Sequence, residues 1–233
     1  MEYSSFDIRK YPVLPVQEGY KEWSATYEQT VEDEMDLRLL SRISSINWKV
    51  IKRAIDFACG TGRIGVWLKK QGIDEIDGID ITPEMLSKAK EKNVYRSLVT
   101  ADILKTGIQG GGYDLCIQAL ADEHLPDVAP LYAEASRIIS TNGYFVLVGY
   151  HPFFLMNGII THFHKTNGDP LAIESYVHLF SDHVKAAFNS NFVLLQMEEG
   201  IVDGDWLQKK PKWEKYKHWP VSFLLVWKKS SFK

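Results

Sequence analysis

The stretch Asp56-Phe-Ala-Cys-Gly-Thr-Gly-Arg63 decides the fold of this chain of 233 residues. The apolar run that leads into it, residues 53–58, predicts a buried strand. Gly60 and Gly62 follow at once, where the chain must turn sharply and let a ligand approach the backbone. A carboxylate therefore stands directly before a glycine turn.

The residues after the turn complete a βαβ unit. Residues 63–71 place their apolar side chains on one face of a helix, and Gly72 is suited to end it. Residues 73–81 predict a second buried strand, which ends at Asp80. Thr82 is the predicted N-cap of a further helix with a proline at its first position. A strand, a glycine turn, a helix and an acid at the end of the next strand are typical of nucleotide-binding folds.

Two classes of cofactor fit this pattern. Residues 60–65 read G-x-G-x-x-G, and Asp80 lies about 20 residues further on, as in NAD-binding folds. Asp56 argues against a dinucleotide, because a carboxylate there faces a pyrophosphate badly but faces an ammonium group well. Asp102, at the end of the next apolar run, can accept a hydrogen bond from an adenine amino group. These acids favour S-adenosylmethionine (SAM), which carries a ribose and an amino acid tail, over NAD.

The motif set resembles that of the class I SAM-dependent methyltransferases, and is close in pattern to the bacterial small-molecule methyltransferases. The resemblance covers residues 54–150, with alanine at position 58 where the family usually has glycine. It implies an α/β fold with a doubly wound, mostly parallel, seven-stranded sheet of the Rossmann-like kind. Residues 191–198 and 221–227 predict the final strands, the last of them antiparallel. A dehydrogenase domain would not predict that hairpin.

The resemblance also implies which residues bind the cofactor. Asp56, Gly60 and Gly62 would hold the methionine end, Asp80 the ribose and Asp102 the adenine. The other predicted cofactor-binding residues are Tyr27, Ala58, Thr61, Arg63, Ile81, Met85, Ala101, Ile103 and Gln118.

Composition and charge argue against several other classes of protein. The net charge of −3 gives no overall field that would draw the chain to nucleic acid or acidic membranes. No apolar run reaches the length of a transmembrane helix, and the first residues do not form a signal peptide. The two cysteines fall in predicted core elements, which is typical of a reduced cytoplasmic protein. We therefore expect one cytoplasmic methyltransferase domain over residues 1–233, acting on a small molecule.

Residues 1–50 predict an N-terminal arm and a helical cover. Residues 19–47 carry a heptad-like apolar stripe and are expected to be largely helical. In related methyltransferases such a helix closes over the cofactor, so Tyr20 and Trp23 are candidate substrate contacts. Aromatic residues on a helix that pack into the core are an equally good interpretation.

Residues 151–183 predict a lid, or substrate-binding insertion, after the fifth strand. Five of the seven histidines lie there, interleaved with aromatic side chains, as expected of a small-molecule pocket. Histidine is the side chain best tuned to remove a proton near neutral pH. The candidate catalytic bases are His124, His151, His178 and His162, although a hydrogen-bonded structural role is favoured for each one alone. The further predicted substrate contacts are Tyr150, Phe154 and Tyr176.

Two other interpretations of polar segments are less favoured. His162-x-His164 and His178-x4-His183 offer metal ligands, but their spacing fits no standard zinc pattern and the sequence around His162 predicts a loop. Residues 208–219 interleave lysines with aromatic residues and could contact RNA, whereas Glu214 and the acidic surroundings favour a solvated loop. We expect no metal, no nucleic acid and no membrane as partners.

The predicted function is methyl transfer from SAM to an oxygen, nitrogen or activated carbon of a small molecule, assisted by a histidine base. One alternative is an enzyme that consumes SAM itself by cyclising its aminobutyrate tail and releasing methylthioadenosine. A nicotinamide-dependent oxidoreductase is a second alternative. A catalytically silent SAM-binding subunit is a third, and it would not need the polar residues of the insertion. The sequence makes no prediction of the acceptor's identity or of the oligomeric state.

Overall fold

The structure, a computed structural model, describes residues 1–31 and 35–230. In those ranges the strands are β1 (Val13–Leu14), β2 (Arg53–Phe57), β3 (Glu75–Asp80), β4 (Ser97–Thr100), β5 (Tyr113–Ala119), β6 (Ile139–Tyr150), β7 (His162–His164), β8 (Pro170–Ile173), β9 (Phe192–Ile201) and β10 (Pro220–Lys229). The α-helices of the same ranges are α1 (Val16–Trp23), α2 (Tyr27–Thr30), α3 (Met35–Leu40), α4 (Arg63–Lys70), α5 (Pro83–Glu91), α6 (Ala129–Ile138), α7 (Pro152–Met156), α8 (Phe180–Asn189) and α9 (Gly204–Lys209).

The central sheet contains seven of the described strands, in the order β4-β3-β2-β5-β6-β10-β9. The first five run parallel, and β10 lies antiparallel to both of its neighbours. This arrangement confirms the predicted doubly wound sheet with an antiparallel last strand. Strands β3 and β4 extend the sheet on one side of β2, and the chain then returns to place β5 on the other side of β2. A crevice therefore opens at the carboxyl ends of β2 and β5, where ligands bind in such sheets.

Helices cover both faces of the central sheet. On one face, α6 and α8 pack on β6 and β10, and the rings of Tyr132 and Phe145 meet edge to face with centroids 5.2 Å apart. On the other face, α3 and α4 bury Leu39 and Leu68 against apolar side chains of β2, β5 and β6. Because the parallel strands are buried on both faces, they read in the sequence as nearly continuous apolar runs.

The N-terminal cover, which the sequence predicted to be largely helical over residues 19–47, is divided into several short helices. Within the described part of residues 19–47, the chain forms the end of α1, then α2 and α3, and residues 32–34 of that range lie outside the described residues. Helix α1 ends at Trp23, whose indole Nε1 donates to Thr30 Oγ1 at 2.8 Å. The Trp23 ring also stacks on Phe163 at 5.2 Å between centroids. Trp23 therefore joins the end of α1 to α2 and to β7.

The segment after β6 joins the N-terminal arm in a second, smaller sheet. Strand β8 pairs parallel with β1 and antiparallel with β7. The interpretation of the sequence around His162 as a loop was wrong, because the arm and β8 supply hydrogen-bonding partners that local sequence does not reveal. Residues 180–183, at the end of the predicted insertion, belong instead to α8 and so to the helical layer of the main sheet.

The helices are short. The longest in the described ranges, α6 and α8, have 10 residues each. A helix that spans a membrane needs about 20 residues, and none of the described helices is long and apolar enough to do so.

His183 of α8 is a histidine enclosed in the core, with 0% of its surface exposed. Its Nδ1 lies 3.1 Å from the Tyr132 hydroxyl, and burial lowers its pKa to about 3. The Asp122 carboxyl, 3.6 Å from the His183 Nε2, is also buried, and burial raises the pKa of that carboxyl well above its usual range. Burial thus disfavours the charged form of both groups.

We predict that His183 makes the fold lose stability in mild acid. The unfolded chain takes up a proton at this residue near its ordinary pKa of 6.5, but the folded chain takes it up only near pH 3. The contribution of His183 to stability is therefore complete above pH 6.5 and is lost as the pH falls toward 3. Between pH 7 and pH 5 the loss amounts to about 2 kcal/mol.

Urea unfolding of the wild type and of His183→Gln at both pH values measures this loss. The free energy of unfolding of the wild type should fall by about 2 kcal/mol more than that of the variant between pH 7 and pH 5. Asp56 has a raised pKa and changes stability in the opposite sense, but it is present in both proteins and cancels in the difference. Asp122 contacts His183, so the same comparison is repeated with and without His183→Gln in an Asp122→Asn background. Equal losses in the two proteins would contradict the prediction.

Candidate functional site

A cavity of ≈ 300 Å³ opens in the crevice at the carboxyl ends of β2, β3 and β5. Cavities of this kind hold small molecules, with a few polar groups that fix the orientation of the ligand. The predicted cofactor-binding residues that line it are Tyr27, Ala58, Gly60, Thr61, Arg63, Asp80, Ile81, Met85, Ala101, Asp102 and Ile103. The structure thus brings most of the predicted set to one place.

The carboxylate of Asp80 ties the glycine turn to the end of β3. Its Oδ2 accepts from the Gly60 N–H at 2.8 Å, and its Oδ1 accepts from the Thr82 N–H at 2.8 Å. Thr82 occupies the predicted N-cap position of α5, but its own side chain makes no capping bond. Burial raises the pKa of Asp80, and the two backbone N–H groups counteract that rise. Each carboxylate oxygen retains a second lone pair, which suits the two hydroxyls of a ribose.

Asp56 lies beneath the glycine turn and not in the cavity wall. It is 1% exposed, and its Oδ2 accepts from the Tyr95 hydroxyl at 2.6 Å. Tyr95 fills the space beside α4 that Gly65 leaves open, where a Cβ would collide with the tyrosine ring. Burial raises the pKa of Asp56 to about 7. Asp56 therefore does not line the cavity among the described residues, and its contact with a ligand stays a prediction. The last glycine of G-x-G-x-x-G serves packing.

Gly62 and Gln118 are two further predicted contacts that the cavity does not include. Gly62 has a φ of +90° at the start of α4, and a Cβ there would press on Tyr95 and Ala89. Gln118 is wholly buried, and in the amide orientation that satisfies its surroundings its oxygen accepts from the Ala121 N–H at 2.6 Å. Both residues shape the loops beside the cavity, since turn geometry and buried backbone groups require them there.

Asp102 and Ile103 line the cavity just after β4. Asp102 is exposed, and its Oδ1 accepts from the Leu104 N–H at 2.8 Å, which fixes the carboxylate. Ile103 is buried and offers an apolar surface beside it. A fixed carboxylate next to an apolar surface suits an adenine ring, which has a donating amino group and apolar faces.

Asp36 is a candidate that the sequence analysis missed. It lies on α3, lines the cavity and is 1% exposed. The guanidinium of Arg63 contacts its Oδ2 at 2.6 Å. Burial raises the pKa of Asp36, and Arg63 counteracts the rise. No sequence signal connects the two residues, because they are 27 positions apart and a charge on a short helix usually marks a solvated face.

A second cavity, of ≈ 650 Å³, adjoins the first. Tyr20, Tyr27 and Leu120 line both cavities, so ligands in the two would meet at the end of β5. The predicted substrate contacts that line the second cavity are Tyr20, Trp23, Tyr150 and Phe154. Tyr176, the remaining predicted contact, lies elsewhere, with its hydroxyl donating to Glu174 Oε1 at 2.7 Å near the surface.

His124 lies where the two cavities meet, in the 3-10 turn Asp122–His124 that follows β5. Its Nδ1 is 2.7 Å from the carbonyl oxygen of Glu174, which can only accept, so Nδ1 carries the proton. In the neutral ring, Nε2 then accepts from the Tyr20 hydroxyl at 2.9 Å. Burial raises the pKa of that phenol well above its usual range. A directed chain of hydrogen bonds therefore runs from the cavity through Tyr20 to His124.

Glu123, in the same turn, is a second residue that the sequence analysis did not single out. It is 1% exposed and lines the second cavity, and its Oε1 accepts from the Thr161 hydroxyl at 3.2 Å. Among the described residues its Oε2 has no hydrogen-bond partner. Buried polar atoms are seldom left without partners, so this oxygen is suited to a ligand donor. Nothing in the sequence distinguishes Glu123 from its neighbour Asp122, which is buried in the core.

Two of the candidate bases form hydrogen bonds to backbone groups, and neither is among the described residues that line the two cavities. His151 caps α7, where its Nδ1 accepts from the Phe153 N–H at 3.0 Å, and its Nε2 lies 3.0 Å from Glu199 Oε1. His178 Nε2 donates to the Leu125 carbonyl at 2.7 Å. Burial lowers the pKa of both rings. The clustering of these histidines in the sequence reflects backbone capping, not a common site.

His162, the remaining candidate base, lines the second cavity. Its Nδ1 donates to the Ile160 carbonyl at 2.8 Å, and the Arg9 guanidinium reaches its Nε2 at 2.9 Å. Both ring nitrogens are therefore occupied. Across residues 1–31 and 35–230, no group of three or more His, Cys, Asp or Glu side chains is placed to hold a metal ion.

Comparison with known proteins shows what this fold and part of this sequence resemble. The family described as a methyltransferase domain matches residues 55–147, which run from β2 into β6. A malonyl-(acyl-carrier protein) O-methyltransferase of Hamiltonella defensa is 26% identical over 60% of this chain and 53% of its own length. A chloroplastic tocopherol O-methyltransferase of Arabidopsis thaliana is 27% identical over 49% of this chain and 35% of its own length. The chain thus covers about half or less of these curated relatives.

The solved structures agree on the fold. An S-adenosylmethionine-dependent methyltransferase from Mesorhizobium loti superposes with a TM-score of 0.66 at 18% identity, over 82% of this chain and 96% of that one. The chain therefore shares the fold of SAM-dependent methyltransferases, and its residues 55–147 match the methyltransferase domain family.

We predict that Asp80→Ala abolishes SAM binding, because it removes the predicted ribose contact and releases the glycine turn. The dissociation constant, measured by titration calorimetry, should rise at least about 100-fold. Asp74→Ala is the matched control, since Asp74 precedes the same strand with its side chain 87% exposed. Folding of each variant is checked by its urea midpoint. Near-native SAM binding by a folded Asp80→Ala protein would contradict the assignment.

Proposed function

We propose that this protein transfers the methyl group of SAM to a small-molecule acceptor held in the second cavity. The observation that carries the proposal is the meeting of the two cavities at Tyr20, Tyr27 and Leu120, beside His124. Methyl transfer requires an in-line approach of two bound reactants, and adjoining cavities with a common wall suit that geometry. The acidic net charge and the concave, aromatic-lined second cavity favour a small molecule over nucleic acid as the acceptor.

The residues of the first cavity would hold the cofactor by its distinct groups. Asp80 would accept from the ribose hydroxyls, and Asp102 from the adenine amino group. The ion pair of Asp36 and Arg63 offers one group of each charge to the ammonium and carboxylate of the methionine end. Asp36 would thus take the role that the sequence analysis gave to Asp56.

Bound SAM supplies an electrophilic methyl group on a cationic sulfur. The protein would position the acceptor, exclude water and, for a hydroxyl or ammonium acceptor, remove one proton. The hydrogen-bond chain gives that proton a path: the Tyr20 oxygen receives it as the Tyr20 proton passes to His124 Nε2. The bond from His124 Nδ1 to the Glu174 carbonyl would orient the imidazole and stabilise its protonated form.

The cytoplasmic location and the single-domain organisation over residues 1–233 remain predictions from the sequence. They are consistent with two buried, reduced cysteines. Burial raises the pKa of the Cys59 thiol, which supports a packing role at the turn over that of a nucleophile.

We predict that Tyr20→Phe lowers the turnover number about 100-fold while the affinity for SAM stays within about threefold, because only the hydroxyl of the proton path is lost. The assay uses methyl-labelled SAM with a small-molecule extract and follows labelled product. Tyr144→Phe, a partly buried tyrosine of β6 outside both cavities, is the control and should keep wild-type activity.

A double variant tests whether the two residues act in series. Tyr20→Phe combined with His124→Gln should cost little more than either change alone, since each interrupts the same path. Additive losses would show that the two residues act separately and would contradict the relay.

Incubation with SAM alone separates methyl transfer from consumption of SAM. We expect SAM to remain intact without an acceptor, because the second cavity is large enough for a separate reactant. Mass spectrometry of the products is the measurement. Release of methylthioadenosine in the absence of any acceptor would replace the methyltransferase proposal by a cyclisation or lyase reaction on SAM.

A further inference from the structure

We propose that the acceptor is an amphiphilic anion: an aromatic or apolar body with a carboxylate or phosphate at one end and the reacting hydroxyl or amine at the other. This inference rests on the proposed function, because it concerns the ligand of the second cavity. Three features of that cavity carry it: its aromatic walls, its cationic rim and the buried carboxyl of Glu123.

The walls of the second cavity are aromatic. Trp23 and Phe163 stack with a centroid distance of 5.2 Å and an interplanar angle of 8°. Phe154, which is 1% exposed, packs on Trp213 at 5.6 Å. These rings are already packed against one another, so they offer rigid apolar surface at little entropic cost. Such walls suit a planar or aliphatic body and not a strongly hydrated one.

The rim of the same cavity is cationic. Arg9, Lys210, Lys212 and Lys215 line it, and Glu123 is its only acidic lining residue within the described chain. Lys215 lies over the Tyr216 ring at 4.8 Å from the centroid. No carboxylate of residues 1–31 and 35–230 pairs with Lys212 or Lys215. Lys217, in the same segment but outside the cavity, pairs with Glu214 at 3.4 Å. The basic run 208–219 therefore directs part of its charge toward a ligand cavity.

The opposite charges lie at different depths and set the direction of the ligand. Lys212 and Lys215 are exposed in the 3-10 segment Pro211–Tyr216, whereas Glu123 is buried, with its Oε1 3.6 Å from His124 Nε2. The Glu123 Oε2, which has no partner among the described residues, can accept from a hydroxyl or amine of the ligand. The nucleophile would thus lie deep, next to Tyr20 and His124, and the anion would lie at the rim.

A matched panel of ligands tests this polarity. Phenyl, indolyl and octyl bodies are each prepared as the carboxylate, the amide, the amine and the phosphate monoester. Binding to the full chain with saturating S-adenosylhomocysteine is measured by titration calorimetry in low salt. For at least one body, the anionic forms should bind about tenfold tighter than the amide and the amine, and comparison of the two anions identifies the preferred one. Equal or tighter binding of the amides or amines, or no binding by any anion, would overturn the proposal.

Rim variants locate the anion. Lys212→Gln combined with Lys215→Gln should weaken binding of the preferred anion about tenfold and leave binding of its amide unchanged. Lys217→Gln is the control, and it should bind both ligands like the wild type. An unchanged affinity for the anion in the double variant would overturn the assignment of the rim.

SAM binding separates this inference from the proposed function. The double rim variant should bind SAM with wild-type affinity, because neither lysine lines the cofactor cavity. If the anion preference is absent while SAM binding and methyl transfer persist, the inference alone fails. If the protein releases methylthioadenosine without an acceptor, the proposed function fails. Tight, salt-sensitive binding of single-stranded RNA, abolished in the same rim variant, would show that the lysines serve nucleic acid and would overturn the inference.

Discussion

The geometry of the site depends on one buried carboxylate, that of Asp80. By accepting from the backbone N–H groups of Gly60 and Thr82, it joins the glycine turn after β2 and the start of α5 to the end of β3. These three segments make up much of the wall of the first cavity. A carboxylate is suited to this position because two oxygens can bridge two loops and still accept from a ligand. The cost of burying it is recovered through charge-assisted hydrogen bonds to backbone donors.

The second constraint is the placement of Tyr95 between α4 and the central sheet. Its hydroxyl donates to Asp56 and accepts from the Gly65 N–H at 3.2 Å. The acid and the glycine of a motif that looks like a ligand site are thereby joined to each other. Motif positions of this kind have two possible uses, ligand contact and close packing, and only the neighbouring side chain decides between them.

The second cavity, where we propose that the acceptor binds, is assembled from distant parts of the chain. The second cavity takes Arg9 from the arm, Trp23 from α1, Phe163 from β7 and Trp213 from the segment before β10. The pairing of β1 with β8 brings the arm to the insertion. Such a cavity differs readily from one member of a superfamily to another, because loops and termini change without disturbing the sheet. It is therefore where the choice of acceptor would be made.

The residue pattern alone predicted the sheet, its antiparallel last strand and most of the residues that line the first cavity. Asp80, Asp102 and the glycine turn were predictable because strand ends, turns and their ligands are close together along the chain. The histidines were not, because their roles depend on which carbonyl or N–H lies nearby after folding: His124 faces both Tyr20 and a backbone carbonyl, whereas His151 caps a helix. Asp36 and Glu123 were hidden for the same reason, since burial and ion pairing are properties of tertiary contacts and leave no periodic signal in the sequence.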